Sequence, residues 1–299
     1  MEFIKQHKGK ALEKITEKAR DPEPNYYSSM KRDGQMVQIA FDGTNIRMWT
    51  SNGHEFYNRS LAIDMMQDLP DVIPFHVECE YTGSTIGKLG DRRQCGRITT
   101  YRTEFAKGIL SDGDPTENFW VFDILSFDGK DVRQDPFSAR VGMLSQLSYG
   151  KMFRMEDQVA GVSIDQTKNE LQGVLELGWE GTILTHKDHV VNDKGRSNLR
   201  IKFKETPTDY AMIVGVIPGT KQHLGVHGAL LLQDSTGFQF SSGGGLDNEE
   251  RRIPEEQLLG KTVKFGYESI KEGVYQQQRY LGAVLDYPDD KTLVRLTEL

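Results

Sequence analysis

The chain has 299 residues, with 37 Lys plus Arg against 44 Asp plus Glu, a formal net charge of −7. Its 37% hydrophobic and 27% charged residues suit a folded protein with room for two domains, not a disordered or fibrous one. No window approaches about 18 consecutive apolar residues, and Met1 to Arg20 is charged and amphipathic without an apolar signal core, so neither a membrane span nor a secretory leader is expected. Two cysteines, Cys79 and Cys95, cannot form a disulfide framework or a four-ligand zinc site, which points to a reducing cytoplasm, and the negative balance taken alone speaks against a nucleic-acid partner.

In chain order, Ala11, Leu12, Ile15 and Ala19 recur at helical spacing and predict a short surface helix over Lys8 to Arg20, closed by Pro22 and Pro24. Strand-like runs follow at Gln35 to Ala40, Asn45 to Trp49, Phe75 to Tyr81 and Phe119 to Leu125, with Asp42-Gly43 as a hairpin turn between the first two. Helices are expected at Ser138 to Ser148 and Ile164 to Leu177, then strands at Gly181 to Thr185 and Leu199 to Phe203. The layout is α+β with mostly antiparallel strands. Thr206-Pro207-Thr208 is the expected hinge, dividing the chain into domains 1–207 and 208–299. Beyond it, Tyr210 to Val216, Gly228 to Leu232, Gly237 to Ser241, Thr262 to Gly266 and Tyr280 to Leu285 are five short strands, the number of an OB-type barrel rather than an immunoglobulin-like sandwich. Gly243-Gly244-Gly245 lacks a following Lys-Ser/Thr pair and is read as a tight turn, not a phosphate cradle.

One tetrapeptide carries chemistry. In Lys31-Arg32-Asp33-Gly34, between the strand-like Tyr26 to Met30 and the next strand, a lysine amine kept partly neutral by burial or by a neighbouring cation can act as a nucleophile, and taken alone the tetrapeptide also reads as a solvated lysine before a turn. Downstream, in one order, come Trp49-Thr50-Ser51-Asn52-Gly53, Glu78-Cys79-Glu80, Phe119-Trp120-Val121-Phe122-Asp123, Glu180-Gly181 and Lys202-Phe203-Lys204. This series resembles the collinear motifs of the covalent nucleotidyltransferase superfamily: ATP-dependent DNA ligases, RNA ligases and mRNA capping enzymes. Gly237-Phe238-Gln239-Phe240, Asp247-Asn248-Glu249-Glu250-Arg251 and Arg279-Tyr280-Leu281-Gly282 resemble the OB domain of DNA ligases. The short stretch before Lys31 resembles the small phage-type, two-domain form.

The resemblance implies an adenylation domain of antiparallel sheets with flanking helices, followed by an OB-fold barrel. It also implies a DNA ligase that loads AMP from ATP onto Lys31, passes it to a 5′-phosphate at a nick, and lets the 3′-hydroxyl displace it. Each step is phosphoryl transfer, so the protein's work is alignment and charge neutralisation. On these terms Lys202 and Lys204 grip the α-phosphate, and Glu180 with Glu80 holds Mg²⁺ or Mn²⁺. Phe122 stacks on adenine, and Ser29 and Met30 belong with Lys31 to the nucleotide site. An RNA ligase or capping-type enzyme is the alternative within this chemistry, and a catalytically silent nucleic-acid-binding relative the alternative outside it.

Three positions depart from the family pattern: Met36 where an arginine is usual, Asn52 where Ser-Arg is usual, and Val284-Leu285-Asp286 without the C-terminal arginine. Their phosphate contacts would fall to cations such as Arg32, Arg47 or Arg59, with Arg279 the candidate for pyrophosphate. Nicked duplex DNA, bound by a monomer, is the expected partner. Six basic residues lie between Lys88 and Lys107 and six more between Lys187 and Lys204, each set against two acids. Arg32, Arg92, Arg93, Arg97, Arg196 and Lys221 are the DNA-binding candidates. A clamp hinged near Pro207 would let the barrel serve first the nucleotide and then the nick.

Overall fold

The computed structural model describes residues 1–66, 73–192, 195–204, 207–267, 269–271, 273–285 and 292–299, and of Glu13, Arg93, Gln94, Ser269 and Lys271 the backbone alone. Lys194, Thr206 and Asp286 lie outside the described residues. The chain forms two compact units, Met1–Glu205 and Thr206–Leu299. Among the described residues no helix is long and apolar enough to cross a membrane.

The first unit contains β1 (Lys8–Ala11), β2 (Tyr26–Lys31), β3 (Gln35–Phe41), β4 (Ile46–Thr50), β5 (Glu55–Phe56), α1 (Arg59–Met66), β6 (Phe75–Gly83), α2 (Arg97–Ala106), β7 (Asn118–Phe127), β8 (Lys130–Asp131), α3 (Phe137–Leu144), β9 (Phe153–Met155), β10 (Val159–Val162), α4 (Ile164–Glu176), β11 (Gly181–His186) and β12 (Arg196–Phe203). They make two sheets. One runs β1-β12-β11-β2-β10, antiparallel except where β1 lies parallel to β12. The other runs β5-β4-β3-β6-β7-β8, with β9 parallel beside β7. Alternation along β6 sends Val77, Cys79 and Tyr81 into a core with Val37, Ile39, Phe119 and Val121, and leaves Glu78 and Glu80 on the opposite face.

The helix expected over Lys8 to Arg20 is instead β1 followed by two 3₁₀ turns, Leu12–Lys14 and Glu17–Ala19. Gly9 explains the change. A Cβ there would stand 2.5 Å from the Arg200 carbonyl, so the segment packs as an edge strand closer to β12 than a side chain allows. Ile15 is buried, and Arg20 closes the turns by donating to the carbonyls of Ile15 (3.0 Å) and Leu12 (3.1 Å). Helices α1 and α2 lie where no helix was predicted, and α2 falls inside the first basic segment. Helix α4 starts where Ser163 Oγ accepts from the Gln166 amide at 3.1 Å, an N-cap that satisfies a free donor.

The second unit holds β13 (Thr208–Pro218), β14 (His227–Asp234), β15 (Gln239–Ser242), α5 (Glu255–Leu258), β16 (Thr262–Gly266), β17 (Ser269–Lys271), β18 (Val274–Gln276), β19 (Arg279–Val284) and β20 (Leu293–Val294). The main sheet runs β15-β14-β13-β16-β19-β20, and β17 pairs with β18. A parallel bridge from Gly244 to Arg279 joins the end of β15 to the start of β19, so the sheet curls back on itself. The glycine run makes that seam. Gly245 has φ +97°, and a Cβ there would overlap the Tyr280 carbonyl. Glu250 and Arg251 brace the seam from inside. Glu250 accepts from the Tyr280 hydroxyl (3.0 Å) and the Leu296 amide (3.1 Å), while Arg251 donates to the carbonyls of His227 (2.9 Å), Gly228 (2.7 Å) and Gly243 (2.6 Å).

Candidate active site

Lys31 ends β2 and stands opposite Gly181, the first residue of β11. Glu180 therefore reaches the strand end beside it, and the Lys31 amine donates to a Glu180 carboxylate oxygen. On the other side of β11, Lys202 of β12 pairs with Ile183, and Lys204, just beyond the strand, donates to the second Glu180 oxygen at 3.3 Å. Gly181 makes this convergence possible. Its φ is +147°, and a Cβ would overlap the Phe203 carbonyl, so β11 and β12 approach here more closely than two side-chained residues can. Lys202 is partly buried, and desolvation, helped by the charges of Lys31 and Arg196, lowers its ammonium to about 8.

The second sheet supplies the facing wall. Glu80 accepts no hydrogen bond among the described residues. Burial, with repulsion from Glu180, holds its carboxyl up at about 7 against the pull of Lys31, Arg92 and Lys202. Phe122 enters through a β-bulge: along β6 and β7, Glu78 pairs with Asp123 and the next residue, Cys79, pairs with Val121, so Phe122 is the extra residue. Because the bulge breaks the alternation, neighbouring Phe122 and Asp123 both leave the Val121 core face. Phe122 lines the cleft and Asp123 roots in the wall behind it.

These groups surround a cleft of about 290 Å³ within the first unit, lined by Ser29, Met30, Lys31, Glu80, Phe122, Glu180 and Lys202, with Ile183 across from Phe122's strand. That is near the small end of ligand sites. Behind it lies a network that the sequence did not reveal. Fully buried Arg140 of α3 binds Asp123 through two nitrogens (2.8 and 3.2 Å), and Arg200 of β12 donates to the same carboxylate. Burial opposes ionisation of Asp123, but the two guanidiniums overcome it and hold the carboxyl well below the usual range. Glu78 is 3.9 Å from Arg200, accepts from Gln38 at 3.3 Å, and is pushed up to about 7 by burial and by Asp123. Both Arg140 and Arg200 stand in runs that read as surface, and only the third dimension pairs them.

The rest of the lysine motif is structural. Arg32 caps the Trp120 ring, 3.3 Å from its centroid, and donates to Glu156 and to the Ile86 carbonyl. Its guanidinium is engaged with protein partners. Asp33 ties the loop down, its amide donating to the Gly87 carbonyl (2.8 Å) and its carboxylate accepting from the Gly90 amide (2.8 Å). Gly34 packs flat on β6 beside Glu80.

Of the other expected cations, Arg92 lines the cleft. Arg97 sits over Tyr101 beside Asp114 (3.8 Å) and Glu117 (3.9 Å). Arg196 is exposed and donates to the Gly9 carbonyl at 3.2 Å, and Lys221 stands at φ +53° in a 3₁₀ turn of the second unit. Arg47 pairs with Glu55 (2.8 Å) and Arg59 with Asp112 (3.6 Å), so neither joins the cleft.

The ATP dependent DNA ligase domain family matches residues 6–204. A DNA ligase of Thermococcus onnurineus (strain NA1) is 23% identical over 193 residues, covering 62% of this chain and 33% of that protein, so the chain spans about a third of the length of this curated relative. Among solved structures, a Lig E DNA ligase described as binding DNA with a minimal scaffold aligns with TM-score 0.65 at 22% identity, covering 92% of this chain and 98% of that one. The ATP-dependent DNA ligase of bacteriophage T7 in complex with ATP aligns with TM-score 0.50 at 12% identity over 93% and 98%. These likenesses show the fold. The family match spans the lysine loop, both walls of the cleft and the paired lysines, and by it the chain belongs to the ATP-dependent DNA ligase domain family.

Proposed function

We propose that the chain is an ATP-dependent DNA ligase that seals nicks in duplex DNA through a lysyl-AMP intermediate. The observation that carries this reading is the convergence of Lys31, Glu180, Lys202 and Lys204 at one end of a cleft whose opposite wall holds Phe122 and Glu80. Phe122 and Ile183 offer apolar surfaces to adenine from the two sheets. The Lys31 amine attacks the α-phosphorus, pyrophosphate departs, and a P–N bond forms. Lys202 and Lys204 neutralise the phosphate. Attack by the 5′-phosphate of a nick then breaks the P–N bond, and the 3′-hydroxyl displaces AMP.

A divalent cation fits the residues present. Glu80 is a partly buried carboxylate without a hydrogen-bond donor among the described residues, and Glu180 repels it, the situation a cation between them relieves. A Mg²⁺ ion would take one or two carboxylates and complete its shell with waters and phosphate oxygens. Glu180 and Glu80 would hold the ion, which supplies charge neutralisation to the phosphates.

The domain assignment is adenylation domain 1–207 and OB-fold domain 208–299. Support for the barrel comes from the strand order β15-β14-β13-β16-β19 together with the parallel Gly244–Arg279 seam. The test is incubation with α-labelled ATP or GTP and Mg²⁺, denaturing electrophoresis, then addition of nicked duplex. Label from ATP on the protein and sealed product are expected. Label from GTP alone, or labelled protein that never seals DNA, would overturn the reading.

A further inference from the structure

Family members with this lysine motif usually carry an arginine at the position of Met36, and this cleft is lined by another cation, Arg92. Met36 of β3 pairs with Glu80 of β6, and both line the cleft with Ser51. The 3₁₀ turn Asp91–Gln94 packs against β6. Its Arg92 also lines the cleft, close enough for its charge to act on Glu80. We infer that Arg92 is the phosphate-binding cation of this cleft, taking the place of the arginine that Met36 lacks.

Lys8 and Lys202 line the cleft from the other sheet, and three further cations of the lining are engaged with protein. Arg32 is held by Glu156 and Trp120, Arg200 by Asp123, and Lys31 by Glu180. The Arg92 guanidinium has no hydrogen-bond partner among the described residues, so its planar fork of donors is available to a phosphate. Its turn is built to stay put. Asp91 accepts from the amides of Gly87 (3.1 Å) and Lys88 (2.8 Å), and Asp33 of the nucleophile loop grips Gly87 and Gly90. Gln35, next to Met36, donates to the Cys95 carbonyl at 3.0 Å. The loop that presents Lys31 therefore also anchors the turn that presents Arg92.

The inference rests on the ligase reading. Two phosphates would meet such a cation, that of the nucleotide and the 5′-phosphate of a nick, and two reactions separate them: AMP loading from labelled ATP, and AMP transfer to a nicked duplex. Wild-type protein that performs neither sinks the ligase reading and this inference together. With wild type active, Arg92→Ala should slow one step roughly ten- to a hundredfold: loading if the nucleotide phosphate is held, transfer with normal loading if the nick phosphate is held. Arg92→Lys should keep part of the rate. Adding Met36→Arg to Arg92→Ala should restore much of the loss, a rescue that a merely structural role of Arg92 does not give. Loading and transfer both within about twofold of wild type in R92A overturn the inference while the ligase reading stands. A folded R92A/M36R as slow as R92A overturns it too.

Discussion

The mouth of the cleft and the wall behind Phe122 are both dense in charge, and they are organised in opposite ways. At the mouth, Glu180 is shared by Lys31 and Lys204, Glu80 has no hydrogen-bond donor among the described residues, and Lys202 is lowered to about 8 by burial. In the wall, Asp123 is saturated by two guanidiniums, and Arg140 also donates to the carbonyls of Asp135 (2.5 Å) and His189 (2.9 Å). The wall spends its hydrogen bonds on itself and stays fixed. The mouth leaves its capacity unspent, which is what a site needs if substrate is to supply the missing partners.

This contrast fails if the two regions respond alike to substitution. The largest effect is expected at Lys31: Lys31→Ala should abolish the AMP adduct with the melting temperature nearly unchanged, and any residual adduct at wild-type level would break the assignment. Asp123→Asn should do the reverse, costing about 3–5 kcal/mol of stability in urea unfolding by stranding two buried guanidiniums. A stability loss below about 1 kcal/mol would show that the wall is not the scaffold described. Phe122→Ala should weaken ATP binding by about 1–3 kcal/mol through lost stacking, read by titration calorimetry. Unchanged affinity would remove Phe122 from the nucleotide site.

The smallest effect sharpens the picture through pH. Lys202 loses its proton near 8 in the folded protein, below the ordinary lysine value of about 10.4. ATP affinity should therefore fall as pH rises through about 8. Stability should gain from this group between about 8 and 10, because there the unfolded chain binds the extra proton. Opposite slopes of affinity and melting temperature, both flattened in Lys202→Met, are expected; parallel slopes would contradict the charge assignment.

The candidate site was legible because Lys31, Glu80, Phe122, Glu180, Lys202 and Lys204 stand in the order of the motifs the chain resembles, and the structure brings them to one cleft. What escaped was whatever depends on contacts across the sheets. Asp123 draws its partners from 17 and 77 residues away. The bulge at Phe122 has no marker in a run of apolar residues, since strict alternation reads just as well. Counting charge by segment treated Arg200 as surface although it is buried. Helical spacing of Leu12 and Ile15 serves 3₁₀ turns equally, and only Gly9 hints at the strand before them.

Gly181 gives the molecule one further property. It touches no substrate in the proposed reaction, yet no other residue can occupy its place without pushing Glu180 and Lys204 apart. A saturation screen scored on DNA sealing would mark it as dead as the nucleophile itself, and only a separate record of protein abundance and folding would tell the two kinds of intolerance apart.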